Sequence, residues 1–166
     1  MMDFIGHKNK VNSVAITNDC KKLVSGSKDK YIIVWDVESA KNIKQWIAHT
    51  DDVRSVVVTP NNKKIVSGSV DQSAKLWDFE GDLLHTFKGH SDRIFSIAMH
   101  PSGDFIATGS WDKTWKLWSL RTLKQLYTSR DTHTNGVKVV LFSADGNNLI
   151  SGSTDATISI ADMTPR

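Results

Sequence analysis

The feature that most constrains this 166-residue chain is repetition at an interval of 41 to 43 residues. His7, His49, His90 and His133 are each followed 22 residues later by an aspartate: Asp29, Asp71, Asp112 and Asp155. A hydroxyl stands 18 residues after each histidine, at Ser25, Ser67, Thr108 and Ser151. Trp35, Trp77 and Trp118 stand 28 residues after it, with Ala161 in that place in the last copy. Spacing inside the block is constant, and the length variation falls between the Trp position and the next His, where a tolerant loop must lie. A repeat of this period is one supersecondary unit that buries its faces only by stacking on its copies.

Inside each block apolar residues alternate with a period near two, and helical periodicity is absent. In the third copy the pattern predicts strands over 94–99, 104–109, 114–118 and 123–127, with Pro101-Ser102-Gly103 as a turn. Asn18-Asp19, Pro60-Asn61-Asn62 and Asp145-Gly146 are the matching turns. The chain therefore reads as all-β, one domain over 1–166 without a linker, built of four-stranded antiparallel meanders. The repeats run over about 7–47, 48–88, 89–131 and 132–166, with 1–6 as a closing outer strand.

Gly6-His7, Gly89-His90 and the variant Ala48-His49, with Trp35-Asp36 and Trp77-Asp78, resemble the paired signatures of the WD-repeat β-propeller family over essentially the whole chain. Trp118-Ser119, Thr132-His133 and Ala161-Asp162 depart from them. The resemblance implies a propeller of four-stranded blades, each pinned by a hydrogen-bonded tetrad. The tetrads would be His7, Ser25, Asp29 and Trp35; His49, Ser67, Asp71 and Trp77; His90, Thr108, Asp112 and Trp118; and His133, Ser151 and Asp155 without the Trp. It also implies a partner-contacting loop face. The matching positions are Lys10, Asn12 and Lys28; Asp52, Arg54 and Val70; Arg93, Phe95 and Trp111; and Gly136, Lys138 and Thr154. Of these, Trp111, Phe95, Arg93 and Arg54 would form an aromatic and arginine cluster of the composition enriched in interface hot spots. The competing reading is that Trp111 packs on a neighbouring loop. Trp115, in register with Ile32, Ala74 and Ile158, is expected to pack between blades.

Ser25, His7 and Asp29 have the residue types of a hydrolase triad, but the same trio recurs in every copy and no nucleophile elbow accompanies it. No H-x-H, H-E-x-x-H or C-x-x-C pair is present, and the histidines fall in separate repeats, so neither a metal nor another cofactor is expected. The Ser-Gly-Ser triplets at 25–27, 67–69 and 151–153 lack the Gly-Lys-Ser/Thr of a phosphate loop.

Net charge is +3, with eight Lys and five acids in residues 1–47 and thirteen of each sign in the remainder. That surplus is too diffuse to favour nucleic acid. An RNA or ribonucleoprotein role would gain if Lys8, Lys10, Lys28 and Lys30 formed one exposed patch. No run approaches the roughly 18 apolar residues that span a bilayer, and the start lacks a secretory signal pattern, so no membrane association is expected. The lone Cys20 suits a reducing cytoplasmic or nuclear setting. The expected function is thus a non-catalytic protein-interaction scaffold, with a ribonucleoprotein component or, less favoured, an enzyme as rivals. Residues 1–5 align with the strand that precedes Gly89-His90, Phe4 matching Phe87, while the fourth repeat stops after its third strand. This cyclic phase suggests an eight-bladed ring from two chains. A four-bladed monomer, or a half-ring completed by another protein, are the competing closures.

Overall fold

The structure, a computed structural model, describes residues 2–164. Among them there is no helix, and fifteen strands form four antiparallel sheets in sequence order. The first sheet holds β1 (Val11–Ile16), β2 (Lys22–Ser27), β3 (Tyr31–Asp36) and β4 (Asn42–Ile47). The second holds β5 (Val53–Val58), β6 (Lys64–Ser69), β7 (Ala74–Asp78) and β8 (Leu83–Phe87). The third holds β9 (Ile94–Met99), β10 (Phe105–Ser110), β11 (Trp115–Ser119) and β12 (Gln125–Thr128). The fourth has three strands, β13 (Val137–Phe142), β14 (Asn148–Ser153) and β15 (Ile158–Asp162). Each sheet is a meander in which every strand pairs with its sequence neighbour, the pattern of propeller blades.

In the third blade the first strand lies where the alternation places it, and the other three begin one or two residues later than the sequence suggests. Turn chemistry takes those residues. The Ser102 hydroxyl accepts the Asp104 N–H, the Thr114 hydroxyl donates to Asp112, and Leu123 has a φ of 61°. Side chains of this kind divert the backbone from a ladder into a turn.

Burial follows one stacking rule repeated three times. Val24, Ile32 and Val34 of the first blade pack against Val53, Val56, Ile65 and Trp77 of the second. Val66, Ala74 and Leu76 pack against Ile94, Ile97, Ile106 and Trp118. Ala107 and Trp115 pack against Val137, Val140 and Leu149, so Trp115 is an inter-blade residue. Blades approach closely at the glycine of the Ser/Thr-Gly-Ser triplet in each of the first three blades. A Cβ on Gly26 would come within 2.6 Å of Val53, and one on Gly68 or Gly109 within 2.9 Å of the next blade's first strand. A polar key accompanies each joint: the hydroxyls of Ser13, Ser55 and Ser96 accept the N–H of Val56, Ile97 and Val140 at 3.1, 3.0 and 3.1 Å.

The series does not close on itself within the chain. Val14 is 60% exposed where its counterpart Val56 is 3% exposed, and Ile158 is 77% exposed where Ile32 is fully buried. Residues 2–7 run without a strand partner, and Met1 of the expected closing strand lies outside the described residues. Phe4 nevertheless stands edge-on to Trp35 at 5.8 Å between centroids. At the corresponding places Trp46 meets Trp77 at 5.8 Å and Phe87 meets Trp118 at 5.5 Å, both tilted rather than edge-on.

Candidate protein-binding face

Each blade is pinned by a buried polar chain running from its third strand to the turn before it. In blades one to three the indole N–H of Trp35, Trp77 and Trp118 donates to Ser25, Ser67 and Thr108 at 2.8, 2.8 and 2.9 Å. Those hydroxyls lie 2.7, 2.8 and 2.7 Å from Nε2 of His7, His49 and His90. The Nδ1 of each ring faces Asp29, Asp71 or Asp112 at 2.9, 2.9 and 2.6 Å. One assignment satisfies every group: indole donates to hydroxyl, hydroxyl to Nε2, and Nδ1–H to carboxylate, with the imidazole neutral. Burial pushes the His49 ring below its ordinary pKa despite the opposing pull of Asp71, which agrees with a neutral imidazole.

The aspartates carry this order into the backbone. One carboxylate oxygen accepts the N–H of Lys8, Thr50, Ser91 or Thr134, and the other accepts the N–H of Tyr31, Ser73, Thr114 or Thr157. Burial alone would raise Asp71 and Asp112. Hydrogen bonds from His49 and Ser73, and from His90 and Thr114, outweigh it and hold both carboxyls far below the usual range. The fourth blade departs from the pattern. Ala161 offers no indole, and His133 Nδ1 contacts the Thr157 hydroxyl at 2.8 Å, with Asp155 at 3.4 Å. Its Nε2 keeps the 2.8 Å contact with Ser151.

The pinned turn sets the loop end of each blade. The residue before each aspartate, Lys28, Val70, Trp111 or Thr154, donates its N–H to the carbonyl of Lys10, Asp52, Arg93 or Gly136 at 2.9 to 3.0 Å. Beside this contact the first strand of every blade carries a β-bulge. Pairing skips one residue each time: between Val11 and Ser13, Val53 and Ser55, Ile94 and Ser96, and Val137 and Val139. The skipped residues are Asn12, Arg54, Phe95 and Lys138. A bulge bends the strand and re-aims the extra side chain. Here it delivers one residue per blade to a common row at the loop end.

Three consecutive blades meet in that row. The Arg54 guanidinium lies 5.6 Å from the Phe95 ring centre, and Lys138 Nζ lies 3.4 Å from Phe95 and 4.6 Å from Trp111. Arg93 covers Trp111 at 5.8 Å, and the two rings are 5.7 Å apart. The cluster read from the sequence thus gathers four residues and takes in Lys138 as a fifth. Trp111 is also seated on the next loop, since a Cβ on Gly136 would overlap its ring, yet it remains half-buried rather than enclosed. Asp52 is buried and orients Arg54 at 3.4 Å. The Asn12 amide is spent on the joint between blades one and two, donating to the Val53 carbonyl at 2.8 Å. Lys10 and Lys28 are exposed at the corner of blade one with Lys8 and Lys30. Val70 and Thr154 add no charged or aromatic group to it.

The bulges could not be read from the sequence, because the four extra residues share no residue type and the alternation runs through them. The proximity of Lys138 to both rings is likewise a product of blade stacking.

Four blades, each a meander locked by this polar chain and offering loops at one end, define a propeller-type repeat protein. Comparison with known families agrees: the family described as "WD domain, G-beta repeat" matches residues 1–36, 40–78, 81–119 and 123–162. The chain belongs to the WD-repeat family. No curated protein matches it. Members of the family generally act as protein-interaction scaffolds and are typically non-catalytic.

Proposed function

We propose that this chain is a non-catalytic scaffold that binds a segment of another protein on its loop face, through Arg54, Arg93, Phe95, Trp111 and Lys138. The observation that carries the reading is the bulge in each first strand, which in blades two to four spends regular pairing to present Arg54, Phe95 and Lys138 side by side. Aromatic and arginine side chains gathered on a rigid scaffold are the composition of an interface hot spot. The tetrads support a structural rather than a catalytic role. Their hydroxyls are buried and already engaged by the histidine and, in three blades, by the indole. Quantitative affinity capture with wild type and Trp111→Ala, each checked for an unchanged fold, tests the reading. A defined set of proteins lost from the variant is expected, and an identical set would contradict it.

Association of two chains into an eight-bladed ring is favoured by the end faces. Gly152 occupies the position of Gly26, Gly68 and Gly109, but among the described residues the only side chain its Cβ would meet is Val139 of its own blade. The residues that fill this place in the other joints correspond to Val11 and Val14, which are exposed at the opposite end. An RNA-associated role also has an observation in its favour, for Lys8, Lys10, Lys28 and Lys30 are all exposed around the turn held by Asp29. Binding to generic RNA that weakens steeply with salt would support it. The exposed, unpaired Cys20 accords with a cytoplasmic or nuclear setting.

A further inference from the structure

The loop-face cluster has a charge imbalance that its own carboxylates do not resolve. Arg54 is paired with Asp52 at 3.4 Å and Arg93 with Asp92 at 3.5 Å, so two of the three cations are served from the side. Lys138 has no carboxylate within ion-pair distance among the described residues, and its ammonium rests on the faces of Phe95 and Trp111. Ring faces attract a cation by their quadrupole but leave a full positive charge unneutralised. Beside it, the Nε of Arg54 is buried and has no acceptor among the described residues. Burial first, and then the charges of Arg54 and Arg93, lower the Lys138 pKa.

Two occupants suit an aromatic pair of this kind: a cation entering the ring faces, or an anion lying among the cations. Lys138 already occupies the ring faces and two guanidiniums flank it, so a second cation would be repelled. We infer that the site takes an acidic peptide segment, a side-chain carboxylate lying between Lys138 and Arg54 while an adjacent apolar side chain rests on Phe95 and Trp111. This rests on the loop-face reading and names the chemistry of its partner. The carboxylate would neutralise the unpaired Lys138 ammonium and give the part-exposed Arg54 guanidinium a second partner beside Asp52. The rings would bury apolar surface beside it.

The test is fluorescence anisotropy with a dye-labelled peptide alternating Glu and Leu, its Gln-for-Glu counterpart, a phosphoserine-for-Glu counterpart and labelled oligouridylate. Saturable binding of the Glu peptide is expected, with affinity lowered roughly tenfold or more by Lys138→Gln and by replacement of Glu with Gln, and unchanged by the distant Lys63→Gln. Equal binding of the Gln peptide, no binding of the Glu peptide, or preference for the phosphoserine peptide or the RNA would overturn the inference. The same Lys138→Gln variant in the affinity capture separates the two readings. Partners lost with Trp111→Ala but kept with Lys138→Gln would leave the loop face standing and remove the acidic ligand. Partners kept with both would remove both.

Discussion

At the residue scale the blade is only as stable as its buried hydroxyl. Ser67 accepts from Trp77 and donates to His49, so Ser67→Ala strands two buried nitrogens at once. Ser151 serves His133 without an indole, and Ser151→Ala strands one. With about 1 to 3 kcal/mol for each buried group left unsatisfied, urea unfolding is expected to show a loss of about 3 kcal/mol for Ser67→Ala and roughly half that for Ser151→Ala. Equal losses would mean that the indole contributes nothing. The same chain makes the fold sensitive to acid. His49 binds a proton less readily when folded than its ordinary value of 6.5 allows, so the unfolded chain takes up a proton that the folded chain refuses. Stability therefore falls as pH drops through 6.5. The carboxyls of Asp29, Asp71, Asp112 and Asp155 lie below their ordinary 3.8, so their contribution is present above that value and is progressively lost as pH falls below it towards the folded values. Thermal melts from pH 7 to pH 3 check both steps, and a melting temperature independent of pH between 7 and 5 would contradict the first. These positions were legible in the sequence because their spacing is invariant across the repeats, and only a fixed geometry requires invariant spacing.

At the element scale the triplet glycines and Trp115 decide how blades stack. A Cβ on Gly68 would stand 2.9 Å from Ile94 and 3.0 Å from Ile97, both buried and unable to yield. Gly68→Ala is expected to cost about 1 to 3 kcal/mol as overpacking. At Gly152 the Cβ would meet, among the described residues, only the exposed Val139, so Gly152→Ala costs less in a chain that is not paired through this end, and unfolding curves of the two variants at concentrations too low for pairing measure the difference. Trp115 is 3% exposed against Val137 and Val140, and Trp115→Ala is expected to cost about 3 to 5 kcal/mol as a large-to-small core change. The alternation of apolar residues was enough to place the strands. It misplaced the starts of three strands in the third blade because Asp104, Thr114 and Leu123 belong to turns whose hydrogen bonds and positive φ leave no trace in hydropathy. The bulges at Asn12, Arg54, Phe95 and Lys138 escaped for a related reason. A bulge is defined by what the partner strand does, and the inserted side chain can be of any type.

At the scale of the whole molecule, one stacking rule governs every joint, and it leaves two unsatisfied ends that match. Ile158 and Ile160 repeat the places of Ile32 and Val34, while Val11 and Val14 repeat those of Val53 and Val56. The one departure is Val139, which stands where Ser13, Ser55 and Ser96 accept a hydrogen bond across the joint, so a closing contact would be more apolar than the internal ones. Exposed apolar strands of this kind are a liability unless covered. The proposed two-fold pair of chains would cover both ends with the same contact made twice. Sedimentation equilibrium at micromolar concentration tests that equivalence most directly. Wild type is expected at twice the chain mass, and Gly152→Val and Val14→Glu at the single-chain mass, whereas a well-folded wild-type protein at the single-chain mass would contradict the paired ring.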